Sequence, residues 1–204
     1  MGYSLNEVAE QFEKHGFKTM IFKDAAEVAA WLRNDFAKVE SVGRGGSVTL
    51  NSLGFDEIIK ERGMAVHNHA GADPKTKRQI WQAAGNADAY FMSANAVTAD
   101  GKILNVDGAG NRVSAMTCGP RKVYYIVGKN KIVADLTAAH KRVQTVAAPK
   151  NVERLNLPTG CKKAGTCVDC SAEKRICNAY VTLARAPWAI EESWVILVDE
   201  DMGY

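Results

Sequence analysis

The stretch Val42-Gly43-Arg44-Gly45-Gly46-Ser47-Val48-Thr49-Leu50 reads as the end of a strand, a glycine-rich loop and the start of a helix. A strand over 38–42 feeds the loop 43–46, and one helix is expected from Ser47 to Arg62. This step is the repeating unit of a sheet covered by helices. Glycines let a backbone approach an anion closely, and Ser47 and Thr49 add hydroxyl donors at the helix start. The stretch has neither the G-K-[ST] of a P-loop nor a GxGxxG fingerprint. Its residues alone suit an anion cradle and a glycine turn capped by Ser47 equally well.

The alternation continues on both sides. Ser4-Leu5-Asn6-Glu7 is a capping box ahead of the apolar stripe Leu5, Val8, Ala9 and Phe12, and Gly16 is placed to end that helix. A strand over 17–22 follows, then a helix opened by Asp24 and Glu27 with Ala25, Val28, Ala29 and Leu32 on one face. Downstream, strands are expected over 65–68, 89–93, 122–127 and 194–198, with helices over 73–84 and 134–147, the last ending before Pro149. Asp100-Gly101 marks a turn. Residues 38–133 are expected to form consecutive parallel strands whose carboxyl ends bring the loops 43–49, 93–97 and 107–112 to one crevice.

Composition excludes several classes. The 204 residues are 47% hydrophobic and 24% charged, as in an ordinary globular chain. The balance of 26 Lys+Arg against 23 Asp+Glu leaves +3, with no basic cluster of the kind that nucleic acid requires. No run is long and apolar enough for a membrane span. Glu7, Glu10, Glu13 and Lys14 stand where a signal peptide needs an apolar core, so a cytoplasmic location is expected.

A second loop, Asn105-Val106-Asp107-Gly108-Ala109-Gly110-Asn111-Arg112, combines a tight Asp-Gly turn with a guanidinium able to grip a carboxylate or phosphate. Gly128-Lys129-Asn130-Lys131 leaves a strand with two ammonium groups. His67 and His69 share one face of a strand end and are expected to be satisfied or exposed imidazoles rather than metal ligands. Cys118 stands alone and reads as a small buried hydrophobe. Cys161, Cys167, Cys170 and Cys177 fall within 17 residues as C-x5-C-x2-C-x6-C. In a reducing compartment this spacing reads as a metal site, a [4Fe–4S] cluster first and structural zinc as the alternative.

Taken together, the chain resembles the LUD-domain (lactate-utilisation) family, in its stand-alone cysteine-containing branch. The resemblance is carried by 42–50, by Ala87-Asp88-Ala89-Tyr90-Phe91-Met92-Ser93-Ala94-Asn95-Ala96-Val97-Thr98 and by 105–112. It continues through Val127-Gly128-Lys129-Asn130-Lys131-Ile132-Val133 and Val198-Asp199-Glu200-Asp201-Met202-Gly203-Tyr204. It implies a three-layer NagB/RpiA/CoA-transferase-like α/β sheet with helices on both faces, and an association with lactate oxidation beside iron–sulfur partners. The motif order is similar, more distantly, to ribose-5-phosphate isomerases. Ser93-Ala94-Asn95-Ala96 stands where their acids would be, so the proton-moving carboxylate is missing.

The sequence therefore leads to an α/β domain over 1–156, a Cys-rich metal-binding segment over 157–190 and a strand over 191–204 that returns to the main domain. Gly45, Gly46, Ser47 and Thr49 would hold a small anionic or phosphorylated metabolite. Asn95, Asp107, Gly108, Gly110, Asn111, Arg112 and Lys131 would complete the pocket. Cys161, Cys167, Cys170 and Cys177 would hold the metal. An electron-transfer partner, a role as an oxidoreductase component and a homodimer are further expectations. A phosphosugar- or CoA-type isomerase or transferase with structural zinc, and a non-enzymatic regulatory subunit, are the alternatives.

Overall fold

The computed structural model describes residues 2–204. The chain begins with α1 (Leu5–Lys14), β1 (Lys18–Phe22), α2 (Ala25–Asn34), β2 (Ser41–Arg44), α3 (Val48–Ser52), α4 (Phe55–Glu61), β3 (Ala65–Asn68) and α5 (Lys77–Gly85). It continues through β4 (Ala89–Met92), β5 (Ala96–Thr98), β6 (Ile103–Asp107), α6 (Asn111–Ala115), β7 (Lys122–Gly128) and β8 (Ile132–Val133). Then come α7 (Leu136–Arg142), α8 (Ala148–Leu155), α9 (Gly160–Ala164), β9 (Ala179–Leu183) and β10 (Glu192–Val198).

Six strands form a parallel sheet in the order β1-β10-β7-β4-β2-β3. Its inner strands are apolar on both faces because helices cover both. Val123, Tyr125 and Val127 of β7 join one core with Val195 and Leu197 of β10, beneath Val8 and Phe12 of α1. Tyr124, Ile126, Ile196 and Val198 point the other way, toward Val28 and Leu32 of α2 and Phe55 and Ile58 of α4. The two-residue period of a strand thus divides one apolar run between two cores. Phe91 stacks on Tyr124 at 4.6 Å between ring centroids within the second. This is the three-layer α/β architecture expected from the sequence.

Several boundaries move. β2 begins at Ser41 and includes Gly43 and Arg44, which the sequence assigns to a loop. Helix α5 lies so close that a Cβ on Gly43 would overlap the backbone of Ala84, so this glycine serves strand–helix packing. The single helix expected over 47–62 is two, broken where Gly54 turns left-handed at φ 61°. The helix expected to stop before Pro149 continues through a π-helical turn at Val143–Ala147 into α8. Pro149 falls in the first turn of α8, directly after that π-helical turn.

The run of consecutive parallel strands is also corrected. β5 and β6 pair antiparallel across the Asp100-Gly101 turn, which is far too short for a parallel crossover. They belong to a second sheet ordered β8-β5-β6-β9. Part of the Cys-rich segment, Ala179–Leu183, forms its edge strand β9 beside β6.

Gly43→Ala is expected to destabilise the fold by about 1–3 kcal/mol through this overlap. Gly85→Ala, with open space around the new methyl, should be neutral or slightly stabilising. Urea denaturation of the two variants checks the contrast.

Candidate functional site

The loops after β2, β4, β6 and β7 meet in a cavity of about 240 Å³. Gly46, Ser47, Thr49, Asn95, Asp107, Gly108, Asn111, Arg112 and Lys131 all line it. Gly45 and Gly110 stand behind it. A Cβ on Gly45 would overlap the aliphatic part of Arg112, and Gly110 turns left-handed at φ 83° to open α6.

Most of these groups are already bound to one another. Arg112 Nε donates to Asp107 Oδ1 at 2.8 Å, and its Nη2 donates to the Val106 carbonyl at 2.6 Å. The other carboxylate oxygen of Asp107 accepts from the backbone N–H groups of Arg112 and Val113. Asp107 therefore caps α6 and neutralises Arg112, and this is a structural brace rather than the free anion clamp expected from sequence. Asn95 Oδ1 accepts from Val106 N, while Asn105 Oδ1 accepts from Asn95 N. Ser47 Oγ accepts from Leu50 N at 3.2 Å, so it caps α3. That helix has five residues, too few for its dipole to hold an anion.

Lys131 is different. It is only 2% exposed, and its Nζ donates to Thr49 Oγ1 at 3.0 Å and Ser93 Oγ at 2.9 Å. No carboxylate pairs with it among the described residues, and Asp107 is the one acid on the cavity wall. Burial, reinforced by the positive charges of Arg142 and Arg112, pulls the Lys131 amine down to about 7. Arg142 is itself buried and bonded only to carbonyls, those of Asn95 at 2.5 Å and Asn130 at 3.1 Å. Arg154 and Tyr204 close the rim, with Arg154 Nε 2.9 Å from the Tyr204 hydroxyl. The cavity thus carries a positive potential that its own side chains do not cancel.

Three contributors, Ser93, Arg142 and Tyr204, are absent from the site expected from sequence, and His69 departs from its reading. Ser93 and Arg142 look like ordinary core and helix residues, and Tyr204 reaches the site only through the fold. His69 lines the cavity with its Nδ1 buried and unpartnered, packed edge-on against Trp81. Burial, with Lys77 and Arg44 nearby, pushes its imidazole below the ordinary range. It is thus not satisfied, contrary to expectation; its position at a strand end was the available signal.

The family follows from a profile match. The LUD domain profile aligns with residues 5–198. The chain belongs to the LUD domain family. A crystal structure of a DUF162 family protein from Deinococcus radiodurans has a similar fold, with a TM-score of 0.55 at 15% identity over 95% of each chain. The comparison with curated proteins finds no match. No helix among the described residues is long and apolar enough to cross a membrane.

The cysteine quartet of this LUD chain has suitable donors but not the expected arrangement. Asp169 N donates to Cys167 Sγ at 3.4 Å. Backbone N–H groups of Ala172 and Gly160 hold the Cys170 thiol below its usual range. Cys161 is buried on α9 against Thr159, and Cys177 packs against the second sheet. No group of three or more His, Cys, Asp or Glu able to hold one ion exists among the described residues. The segment divides its thiols between α9, a loop anchored through Cys167 N to the Gln144 carbonyl, and the approach to β9. As placed, the thiols do not form a four-thiolate centre. Cys118, expected to be buried, is exposed just after α6.

Asp107→Ala should cost roughly 3–5 kcal/mol, because it strands the Arg112 guanidinium in a largely buried position. A double-mutant cycle with Arg112→Ala should recover a coupling of at least about 1 kcal/mol by chemical denaturation. In metal-free protein, a thiol reagent should modify exposed Cys118 and low-pKa Cys170 early and buried Cys161 only on unfolding. Peptide mapping of the time course checks the order.

Proposed function

We propose that this LUD-family chain binds a small anionic metabolite, a carboxylate or a phosphorylated compound, in the cavity floored by Lys131. The observation that supports this reading is a buried amine without a carboxylate partner. An uncompensated buried cation is costly, and an anionic ligand supplies the missing charge in a medium where the attraction is strong. A protonated amine has three N–H bonds; Thr49 and Ser93 take two, leaving the third for a ligand. A volume of about 240 Å³ falls below the ~300 Å³ at which pockets for drug-sized ligands begin, so a compact metabolite suits it. Isomerisation by carboxylate proton transfer is the weaker reading, since Asp107 is occupied by Arg112 and α6. The family's lactate-utilisation association fits an organic acid as the ligand and an oxidative context for the protein.

Calorimetric titration with inorganic phosphate and with lactate tests the reading. Lys131→Met should weaken the bound anion by about tenfold or more, ~1.4 kcal/mol, and unchanged affinity would overturn the assignment. Because an anion favours the charged amine, binding at pH 8 should take up protons, seen as a dependence of the heat on buffer ionisation. The amine also imposes a pH dependence on stability. Between about pH 7, where folded Lys131 loses its proton, and about 10.4, where an unfolded lysine does, the unfolded chain holds more protons. Stability from this group should therefore rise with pH across that window. Facing it are Arg142 and the Asp107-paired Arg112, and Lys131→Met should flatten the slope.

A further inference from the structure

The hydrogen bonds around Lys131 specify more than a charge. Ser93 Oγ donates its proton to the Ile126 carbonyl at 2.6 Å, and Thr49 Oγ1 donates to the Met202 carbonyl at 3.2 Å. Each hydroxyl has one proton, so each oxygen meets the amine only as an acceptor. A neutral amine has two N–H bonds, and these two acceptors use both. What remains on the nitrogen is its lone pair, held on a residue that lines the cavity. Burial beside Arg142 and Arg112 favours the neutral form. Oriented hydroxyl acceptors, an unused lone pair and a positively charged pocket are the features of a nucleophilic amine beside an anion site.

We propose that Lys131 is a carbonyl-reactive amine, whose Nζ condenses with the oxo carbon of a small 2-oxo acid bound in this cavity to form an imine. The C–N bond forms by attack of the nitrogen lone pair on the carbonyl carbon. The carbonyl oxygen leaves as water, carrying away two protons, both from Nζ in the net reaction to a neutral imine. No electrons are transferred and no co-reactant is needed. The inference rests on the anion-binding reading of the same cavity, whose positive potential would hold the carboxylate of the oxo acid. The hydroxyls of Thr49 and Ser93 position the amine and do not touch the oxo carbon.

The test is reductive trapping of the full chain with pyruvate and cyanoborohydride at pH 7, read by intact mass and peptide mapping. The imine, once reduced, adds the mass of pyruvic acid less one oxygen atom. Trapping is expected at Lys131 over any surface lysine by about tenfold or more, since an ordinary lysine is almost wholly protonated at that pH. Excess phosphate should suppress it. Lys131→Arg, which offers no comparable nucleophile, should give no adduct at 131, and peptide mapping of the unsubstituted chain is decisive without that variant. Adduct spread evenly over surface lysines, or none at 131 in protein that binds phosphate, overturns the imine and leaves anion binding intact. Failure to trap and failure to bind phosphate overturn both readings.

Discussion

The position of β7 between β4 and β10 governs this molecule. Every residue of β7 after Lys122 is buried, and its alternate side chains enter two different cores. A parallel strand covered on both faces has little freedom to slip, because a one-residue shift would exchange its entire side-chain set between the faces. The carboxyl end of β7 is therefore held at a defined height above the sheet. The short turn Lys129–Lys131 leaves from that point and delivers Lys131 to the cavity floor.

The second sheet completes the site by a different logic. β5 and β6 are tied to each other by Asn95 and Asn105, whose side chains bond across to the facing backbone. β6 ends in Asp107, which caps α6 and grips Arg112. These polar groups sit in a crevice that would otherwise contain unpaired backbone donors, and they satisfy one another. Lys131 and Arg142 stay outside this mutual compensation. The cavity wall thus holds an internally neutralised carboxylate above a floor of buried cations that lack carboxylate partners.

Closure over Lys131 comes from the last residues. Met202 offers its carbonyl to Thr49 and its N–H to Asn130 Oδ1. Gly203 turns left-handed at φ 60°, and a Cβ there would press on Thr49 Oγ1 at 2.7 Å. Tyr204 then reaches Asn151 and Arg154 on α8. The hydroxyl of Thr49 is oriented by this tail, so residues 153 positions apart in sequence share control of one amine.

The sequence by itself determined the alternation of strands and helices, the caps at Ser4 and Asp24, and the glycine-rich loops at the strand ends. Those signals are local: periodicity, cap chemistry and turn preference act within a few residues. It also marked most of the cavity-lining residues, because loops at the carboxyl ends of parallel strands must converge. Only the tertiary structure decided what those residues do. Arg112 and Ser47 look like free groups until Asp107 is seen to pair the guanidinium and the first turn of α3 to bond the Ser47 oxygen. Lys131 looks like a solvated lysine until burial, Arg142 and two distant hydroxyls surround it. The four cysteines look like one centre because spacing sets only the greatest distance between them, whereas packing of α9, the Gln144 contact and β9 sets where each thiol lies. Charge compensation and convergence depend on neighbours far away in sequence, and no local pattern encodes which neighbour arrives.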